Sequence, residues 1–293
     1  MWLPLESWAR FNGMSKPTQL SAGTAAVYQL QGTNGAVVIK IGSHSANVAG
    51  LEAGLGFAPR IIRGFPYIHS LDARKTLQVL LGSFLPLSSS NQGRTVVIDP
   101  GHGGRDSGTH SVVTREHEKQ YTLDWARRLQ RRLEGSGWKV VLTRTNDLDL
   151  PLAERIAIAD RCNADLFVSL HLNSAISNRD QAGAETYCLT PTGMPSNILR
   201  SDEDNPREMH PNNQFDEQNV QLAARLQRCF IQATSAADRG VRRARFMAVL
   251  KGQHRPAVLI EGGYLSNPAE ARKIADPEYR QAMAEGVARG LME

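Results

Sequence analysis

The sequence predicts an α/β fold, a mostly parallel sheet flanked by helices, with a smaller N-terminal β-rich or α+β domain; three observations carry this. From about residue 94 onward, apolar runs of strand length alternate with helical stretches, the rhythm of strand-helix-strand units and parallel pairing. Only 10 of the 63 charged side chains fall in residues 1–93, so the composition changes near position 90. Pro86 to Gly93 reads PLSSSNQG, polar, aperiodic and glycine-ended, as a short linker is. The expected division is an accessory domain at 1–85, a linker at 86–93 and the α/β domain at 94–293.

The elements follow from local pattern. In the N-terminal part, short apolar runs such as Ala36 to Ile41 and Tyr67 to Leu71 are punctuated by glycine and asparagine, which suits short strands. Beyond the linker come a strand at Thr95 to Ile98 and a helix near Glu118 to Leu133, with Leu123, Ala126, Leu129 and Leu133 on its buried side. A strand at Lys139 to Thr143, a helix near Leu152 to Cys162 and a strand at Asp165 to Leu170 continue the alternation. A strand at Ala184 to Leu189, a helix near Asp216 to Ala233, a strand at Ala257 to Ile260 and a C-terminal helix complete it.

Composition narrows the function. At 293 residues, 41% hydrophobic and 22% charged, the chain can bury a sizeable core and is not disordered as a whole. The net charge of +5 is compatible with an acidic polymer. It does not point to nucleic acid, because Arg and Lys are dispersed and the densest run, Arg127 to Arg132, has the spacing of a solvated helix face. No stretch approaches the roughly 20 apolar residues of a membrane span. The start, MWLPLESWARFNG, lacks the basic and apolar regions of a signal peptide, so either the protein is cytoplasmic or a leader is absent from this chain. Cys162, Cys188 and Cys229 have no ligand-pair spacing, and buried free thiols are expected.

Three strands end in a side chain able to bind metal or move a proton: His102 after TVVIDPG, His171 after DLFVSL and Glu261 after PAVLI. Carboxyl ends of strands are where open α/β sheets bind ligands. A lone histidine is more often structural; three convergent placements reverse those odds. Glycines flanking His102 allow a tight turn, and Asp99, three residues earlier, is either an acceptor that orients a ring nitrogen or a turn-forming carboxylate. Glu118 starts the amphipathic helix, where a carboxylate is also simply a favourable first-turn charge.

The segments DPGHGG, EKQYTLDWARRL, SLHLN and VLIEGGYLSNP, in this order over about residues 94–293, resemble the zinc-dependent N-acetylmuramoyl-L-alanine amidases of type 3, which have a phosphorylase/hydrolase-like fold. By that resemblance one Zn2+ per chain is bound by His102, Glu118 and His171, and Glu261 is the catalytic carboxylate. The implied reaction is hydrolysis of the amide between N-acetylmuramic acid and L-alanine in peptidoglycan or muropeptides, in a periplasmic or secreted setting at the cell envelope. The chemistry agrees, since two imidazoles and one carboxylate leave a fourth zinc position for water, whose pKa zinc lowers to about 7. Glu261 would take that proton and pass one to the departing amine. Arg144, in LTRTND, is a candidate for a substrate carboxylate, with a surface ion pair as the plainer reading. His110 and His117 compete with Glu118 as ligands, but the EK that opens the periodic helix is what matches, and His117 would face about 100° away on a helix. Gly262 and Gly263 depart from the family pattern, in which many relatives carry a larger apolar residue.

The N-terminal region, through LPLESWARFNG and GFPYIHSLD, faintly resembles copper amine oxidase N-terminal-like domains of secreted wall proteins, which implies attachment or spacing; a packing domain without a ligand is the alternative. Thr192 to Phe215 is a long polar stretch with three prolines, and such loops are usually functional or disordered. Some relatives carry a segment here that covers the zinc cleft until a protein activator withdraws it. On that reading Glu203, Glu208 or His210 reaches toward the metal; on the other, a surface loop grips glycan. Two rival functions stand: another zinc peptidase or deacetylase, against which the motif order argues, and a noncatalytic wall-binding module, against which the presence of all four site residues argues.

Overall fold

The strand at Thr95–Pro100, the third apolar run expected from the sequence, is buried at every position because it is paired on both sides. The computed structural model describes residues 1–23, 25–83, 93–198 and 204–293. Within them the N-terminal elements are β1 (Trp2–Pro4), α1 (Leu5–Phe11), β2 (Thr18–Ser21), β3 (Val27–Gly32), β4 (Gly35–Lys40), β5 (Ser45–Val48), β6 (Leu51–Gly54), β7 (Arg60–Ile62) and β8 (Phe65–His69). A helical segment follows: α2 (Ser70–Asp72), a π turn at Ala73–Leu77, and α3 (Gln78–Leu81). The remainder comprises β9 (Thr95–Pro100), α4 (Glu118–Glu134), β10 (Lys139–Leu142), α5 (Leu152–Arg161), β11 (Leu166–Asn173), β12 (Ala184–Leu189), α6 (Asp216–Thr234), β13 (Asp238–Ala244), α7 (Ala248–Lys251), β14 (Ala257–Tyr264), α8 (Pro268–Ala275) and α9 (Pro277–Met292).

One sheet runs in the order β10-β9-β11-β14-β12-β13-β6-β5-β4-β3-β2, and β1, β8 and β7 form a second, three-stranded sheet. Strands β10, β9, β11 and β14 are parallel, so their carboxyl ends share one end of the sheet. Strand β12 runs antiparallel to β14, with Glu185 beside Glu261 and Tyr187 beside Leu259. Its carboxyl end therefore lies at the opposite end of the sheet. Strand β13 is parallel to β12 and meets β6 at Val241 and Ala53, which joins the antiparallel meander β2–β6 to the sheet. The β-rich N-terminal region thus continues the large sheet. Of the expected linker only Gly93 lies within the described residues.

Helices α4, α6 and α9 cover one face, where Trp125, Leu129, Phe230, Met283 and Val287 meet the apolar side of the sheet. Helices α5 and α7 cover part of the other, over Val97, Phe167, Tyr187 and Leu259. Burial of this kind contributes about 25 cal/mol per Å2 of apolar surface. Gly262 sits under the first layer: a Cβ there would lie 2.6 Å from Met283 Cε and 3.0 Å from the Trp125 ring. Of the two glycines that depart from the family pattern, Gly262 is required by two large neighbours.

Four elements differ from expectation. Strands β11 and β14 continue to Asn173 and Tyr264, so His171 and Glu261 sit inside strands. Strand β13, DRGVRRA, is hidden in the sequence by its arginines; Arg243 is fully buried and donates to the Lys75 carbonyl at 2.6 Å. The C-terminal helix is two helices, because Asp276 caps the Glu278 amide at 2.9 Å and Pro277 opens α9. All three cysteines are free, Cys188 and Cys229 buried.

Candidate metal centre

The loop after β9 carries His102 in the left-handed region at φ 61°, followed by Gly103 at 131° and Gly104 at 59°. A non-glycine residue held there stores strain that its surroundings must offset. Two buried arginines supply the restraint. Arg155 of α5 donates to the His102 carbonyl at 2.9 Å and the Pro100 carbonyl at 2.9 Å. Arg144, just past β10, donates to the carbonyls of Pro100 at 3.0 Å, Gly101 at 2.8 Å and Lys119 at 2.8 Å. Lys119 in turn bridges the Gly104 carbonyl and Asp147.

Arg144 is therefore neither a carboxylate receptor nor half of a surface ion pair: it is 2% exposed, and it holds the His102 loop against the start of α4. Asp99 is likewise corrected. Its carboxylate accepts from Thr143 Oγ1 at 2.6 Å, Arg155 Nη1 at 2.6 Å and Ser169 Oγ at 2.8 Å, and it does not reach the His102 ring. The acceptor that orients the ring is Asp106, whose Oδ2 lies 2.8 Å from His102 Nδ1. Sequence reasoning passed over Asp106; its signal was a carboxylate four residues after His102 in a glycine-rich loop.

His102, Glu118 and His171 converge. His102 Nε2 lies 3.1 Å from Glu118 Oε2, and His171 Nδ1 lies 3.1 Å from Glu118 Oε1. The two rings stand 4.8 Å apart at 78°. One ligand atom from each residue falls within 4.8 Å of the others, and among the described residues no other group of three or more such side chains forms. Glu118 is 3% exposed and also accepts from the backbone amides of Thr109 at 3.1 Å and Leu172 at 2.9 Å. Burial alone would raise its pKa; the two imidazoles outweigh burial and hold the carboxyl far below the usual range. Burial likewise opposes a charge on His102, yet Glu118 and Asp106 raise its pKa.

The cradle depends on glycine. A Cβ on Gly101 would stand 2.5 Å from His171 Nε2, and one on Gly108 would stand 2.6 Å from Glu118 Oε2 and from His102 Cδ2. The two histidine–Glu118 separations of 3.1 Å are close to the roughly 3.3 Å expected between donors bound at about 2.0–2.1 Å around a tetrahedral ion. Two nitrogens and one oxygen are a borderline-soft set of the kind zinc accepts. His110 and His117 are exposed and stand outside this group.

Glu261 is the register partner of His171 on β11 and of Glu185 on β12, so all three side chains issue from one face of the sheet. Glu185, 2% exposed, was not anticipated from the sequence. It accepts from Arg239 Nε at 3.2 Å, Arg242 Nε at 3.3 Å, Asn173 Nδ2 at 3.0 Å and the Tyr187 hydroxyl at 3.1 Å.

Strand direction decides the place of the described residues of the segment from Thr192 to Phe215, 192–198 and 204–215. It leaves the carboxyl end of β12, opposite the end that carries His171 and Glu261. There Asn212 Nδ2 donates to the Arg255 carbonyl at 2.7 Å, just before β14, and Ser196 is tied to Asp204 at 2.8 Å. Glu208 pairs with His210 at 3.8 Å, and neither belongs to the metal-competent group. The expectation that Glu208 or His210 reaches toward metal is thus overturned by topology; Glu203 lies outside the described residues.

Comparison with known proteins adds to this geometry. The family model described as N-acetylmuramoyl-L-alanine amidase matches residues 96–293. The chain is 32% identical over 200 residues to the uncharacterized protein YqiI of Bacillus subtilis, covering 68% of this chain and 84% of that one. It is 34% identical over 200 residues to N-acetylmuramoyl-L-alanine amidase LytC of Bacillus subtilis, covering 68% of this chain and 35% of LytC. Among solved structures, the catalytic domain of CwlV, an N-acetylmuramoyl-L-alanine amidase from Bacillus (Paenibacillus) polymyxa var. colistinus, superimposes with a TM-score of 0.57 at 30% identity, over 68% of this chain and 96% of that domain. No helix of the described residues is long and apolar enough to cross a membrane.

Proposed function

The chain belongs to the N-acetylmuramoyl-L-alanine amidase family, and from that premise we propose that it hydrolyses the amide joining N-acetylmuramic acid to the L-alanine of the stem peptide, outside the cytoplasm, with one zinc ion. The observation that carries this is the pairing of a His102-Glu118-His171 donor set with Glu261 one strand away on the same sheet face.

In this reading His102 Nε2, a Glu118 oxygen and a His171 nitrogen hold the ion. Zinc bound by such residues supplies Lewis acidity that polarises a carbonyl and acidifies water to a pKa near 7. Asp106 fixes the tautomer of His102, keeping the hydrogen on Nδ1 and the lone pair on Nε2. The backbone amides of Thr109 and Leu172 donate to the Glu118 carboxylate and favour its charged form. Glu261 accepts the proton of the attacking water and returns one to the alanine amine as it leaves. Arg144 and Arg155 keep the loop from relaxing out of its left-handed turn.

The test is mass spectrometry of purified muropeptides after digestion. The expected products are the intact stem peptide with a free alanine amine and the lactyl carboxylate, formed without added chelator and not with it. Glu261→Gln retains zinc and the fold but loses about 10² to 10⁴ in rate. Cleavage between peptide residues, or loss of acetyl groups only, would replace this reading with that of a peptidase or deacetylase.

A further inference from the structure

The meander β2–β6 lies beside the catalytic row. Gly240, at φ 81°, lets β13 approach β6; a Cβ there would come within 2.7 Å of Glu52 Cβ and closer still to the Glu52 carbonyl oxygen. Where the two regions meet is a cavity of about 480 Å3, lined by Asn47, Gly50 and Glu52 from the meander and Asp238, Arg239 and Arg242 from β13. Solved relatives such as the CwlV domain match 68% of this chain, and the family match starts at residue 96, so one wall of this cavity lies outside the shared fold.

Two guanidiniums share one buried carboxylate, Glu185, while Asp238 on the same wall accepts from Gln227 Nε2 and the Gly240 amide rather than from either arginine. Arg239 has further partners, Gln181 Oε1 at 2.9 Å and the Ala182 carbonyl. Arg242 is anchored through Nε alone; its two terminal nitrogens have no partner among the described residues and are not sealed from solvent. A guanidinium pinned at Nε presents a preorganised two-pronged fork for a carboxylate. On the facing wall Glu52 is half-buried and makes no ion pair among the described residues, which gives a cation a place within the same cavity.

We propose that this cavity is a stem-peptide subsite, in which Arg242 binds a carboxylate of the second or third residue of the peptide and the meander shapes selectivity for it. The inference rests on the amidase reading above. Distance sets the position: Glu185 is the register partner of Glu261, and β13 is the next strand, so Arg242 stands two strand spacings, about 10 Å, from the catalytic row. An extended peptide advances about 3.5 Å per residue, which places the fork about three residues from the scissile amide.

Calorimetric binding of a free stem tripeptide, with its carboxylates intact or converted to amides, tests the subsite without turnover. The unaltered protein binds the acid about tenfold more tightly than the amide, as expected for a charge-assisted pair. Arg242→Gln abolishes that preference, and Glu52→Trp, which fills the cavity without touching Glu185, weakens binding of the acid; circular dichroism confirms that both variants fold. Equal binding of acid and amide by the unaltered protein, or a preference that survives Arg242→Gln, overturns the proposal. Selective peptide binding without hydrolysis of any muramoyl amide overturns the amidase reading and leaves the subsite standing.

Discussion

Replacing Gly101 by alanine adds one methyl group and removes no ligand, yet it should disable the metal centre. Gly101 is outside the left-handed region, so alanine is tolerated by the backbone and the whole effect is steric. The new Cβ would stand 2.5 Å from His171 Nε2 and 2.7 Å from Nδ1, where ordinary contacts begin near 3.4 Å. The backbone cannot retreat, because the Gly101 amide donates to Leu170 O at 3.0 Å and its carbonyl accepts from Thr122 Oγ1 at 2.9 Å and Arg144 Nη2 at 2.8 Å. The His171 ring must therefore shift by about 1 Å, a displacement that costs about 10²-fold when it falls on a catalytic constellation. Overpacking should also lower stability by about 1–3 kcal/mol. Zinc affinity by competition with a chromophoric chelator, turnover of a soluble muropeptide and thermal unfolding in excess chelator separate these effects. Unchanged zinc affinity together with turnover within twofold of the unaltered protein would refute the steric argument.

Three further outcomes are expected. Asp106→Asn should lower zinc affinity about 10- to 100-fold while leaving the fold intact, since it loosens the ring of His102 without removing a ligand; the same chelator competition measures it. Asp204→Ala should destabilise the protein by about 3–5 kcal/mol in denaturant titration, because it strands Arg245, which is fully buried and lies 2.7 Å from Asp204. Burial works to raise the Asp204 carboxyl, but Ser196 and Arg245 hold it below its ordinary value. The stability it supplies is therefore present above about pH 4 and is lost as the pH falls further. Replacing Ser196 to Asn213 by a short Gly-Ser bridge should not raise muropeptide hydrolysis and should lower the unfolding temperature, since it discards the Asn212 and Ser196 bonds at the far end of the sheet. A faster enzyme of unchanged stability would restore the idea of a cover.

The residues proposed to hold the centre were legible in the sequence because local pattern fixes them. DPGHGG, SLHLN and PAVLIEGG each join an apolar run to a functional side chain, and a buried parallel strand needs such a run wherever it occurs. The helix opened by Glu118 announced itself by its apolar spacing. Glycine requirements were visible as residues but not as causes: Gly101 and Gly108 make room for His171, His102 and Glu118, which approach from 6 to 70 positions away in the chain.

What tertiary structure alone decided is which buried charge faces which partner, and at which end of the sheet a segment emerges. Arg144 has the same composition whether it caps a loop or binds substrate; four main-chain carbonyls, from Pro100, Gly101, Lys119 and Asn146, claim it here. Asp99 is three residues from His102, but its carboxylate is committed to Arg155, Thr143 and Ser169, while Asp106 reaches the ring. Strand β13 went unseen because its arginines are bonded by groups from elsewhere in the chain, Arg239 and Arg242 by Glu185 on β12 and Arg243 by the Lys75 carbonyl. Strand β12 runs antiparallel to β14, so the described residues 192–198 and 204–215 follow it at the end away from the metal centre, while Glu185 near its start lies beside Glu261. Strand direction is a property of pairing between distant segments, so the sequence determined the candidate ligands and the apolar runs, and only the assembled sheet determined which polar residues share their end of it.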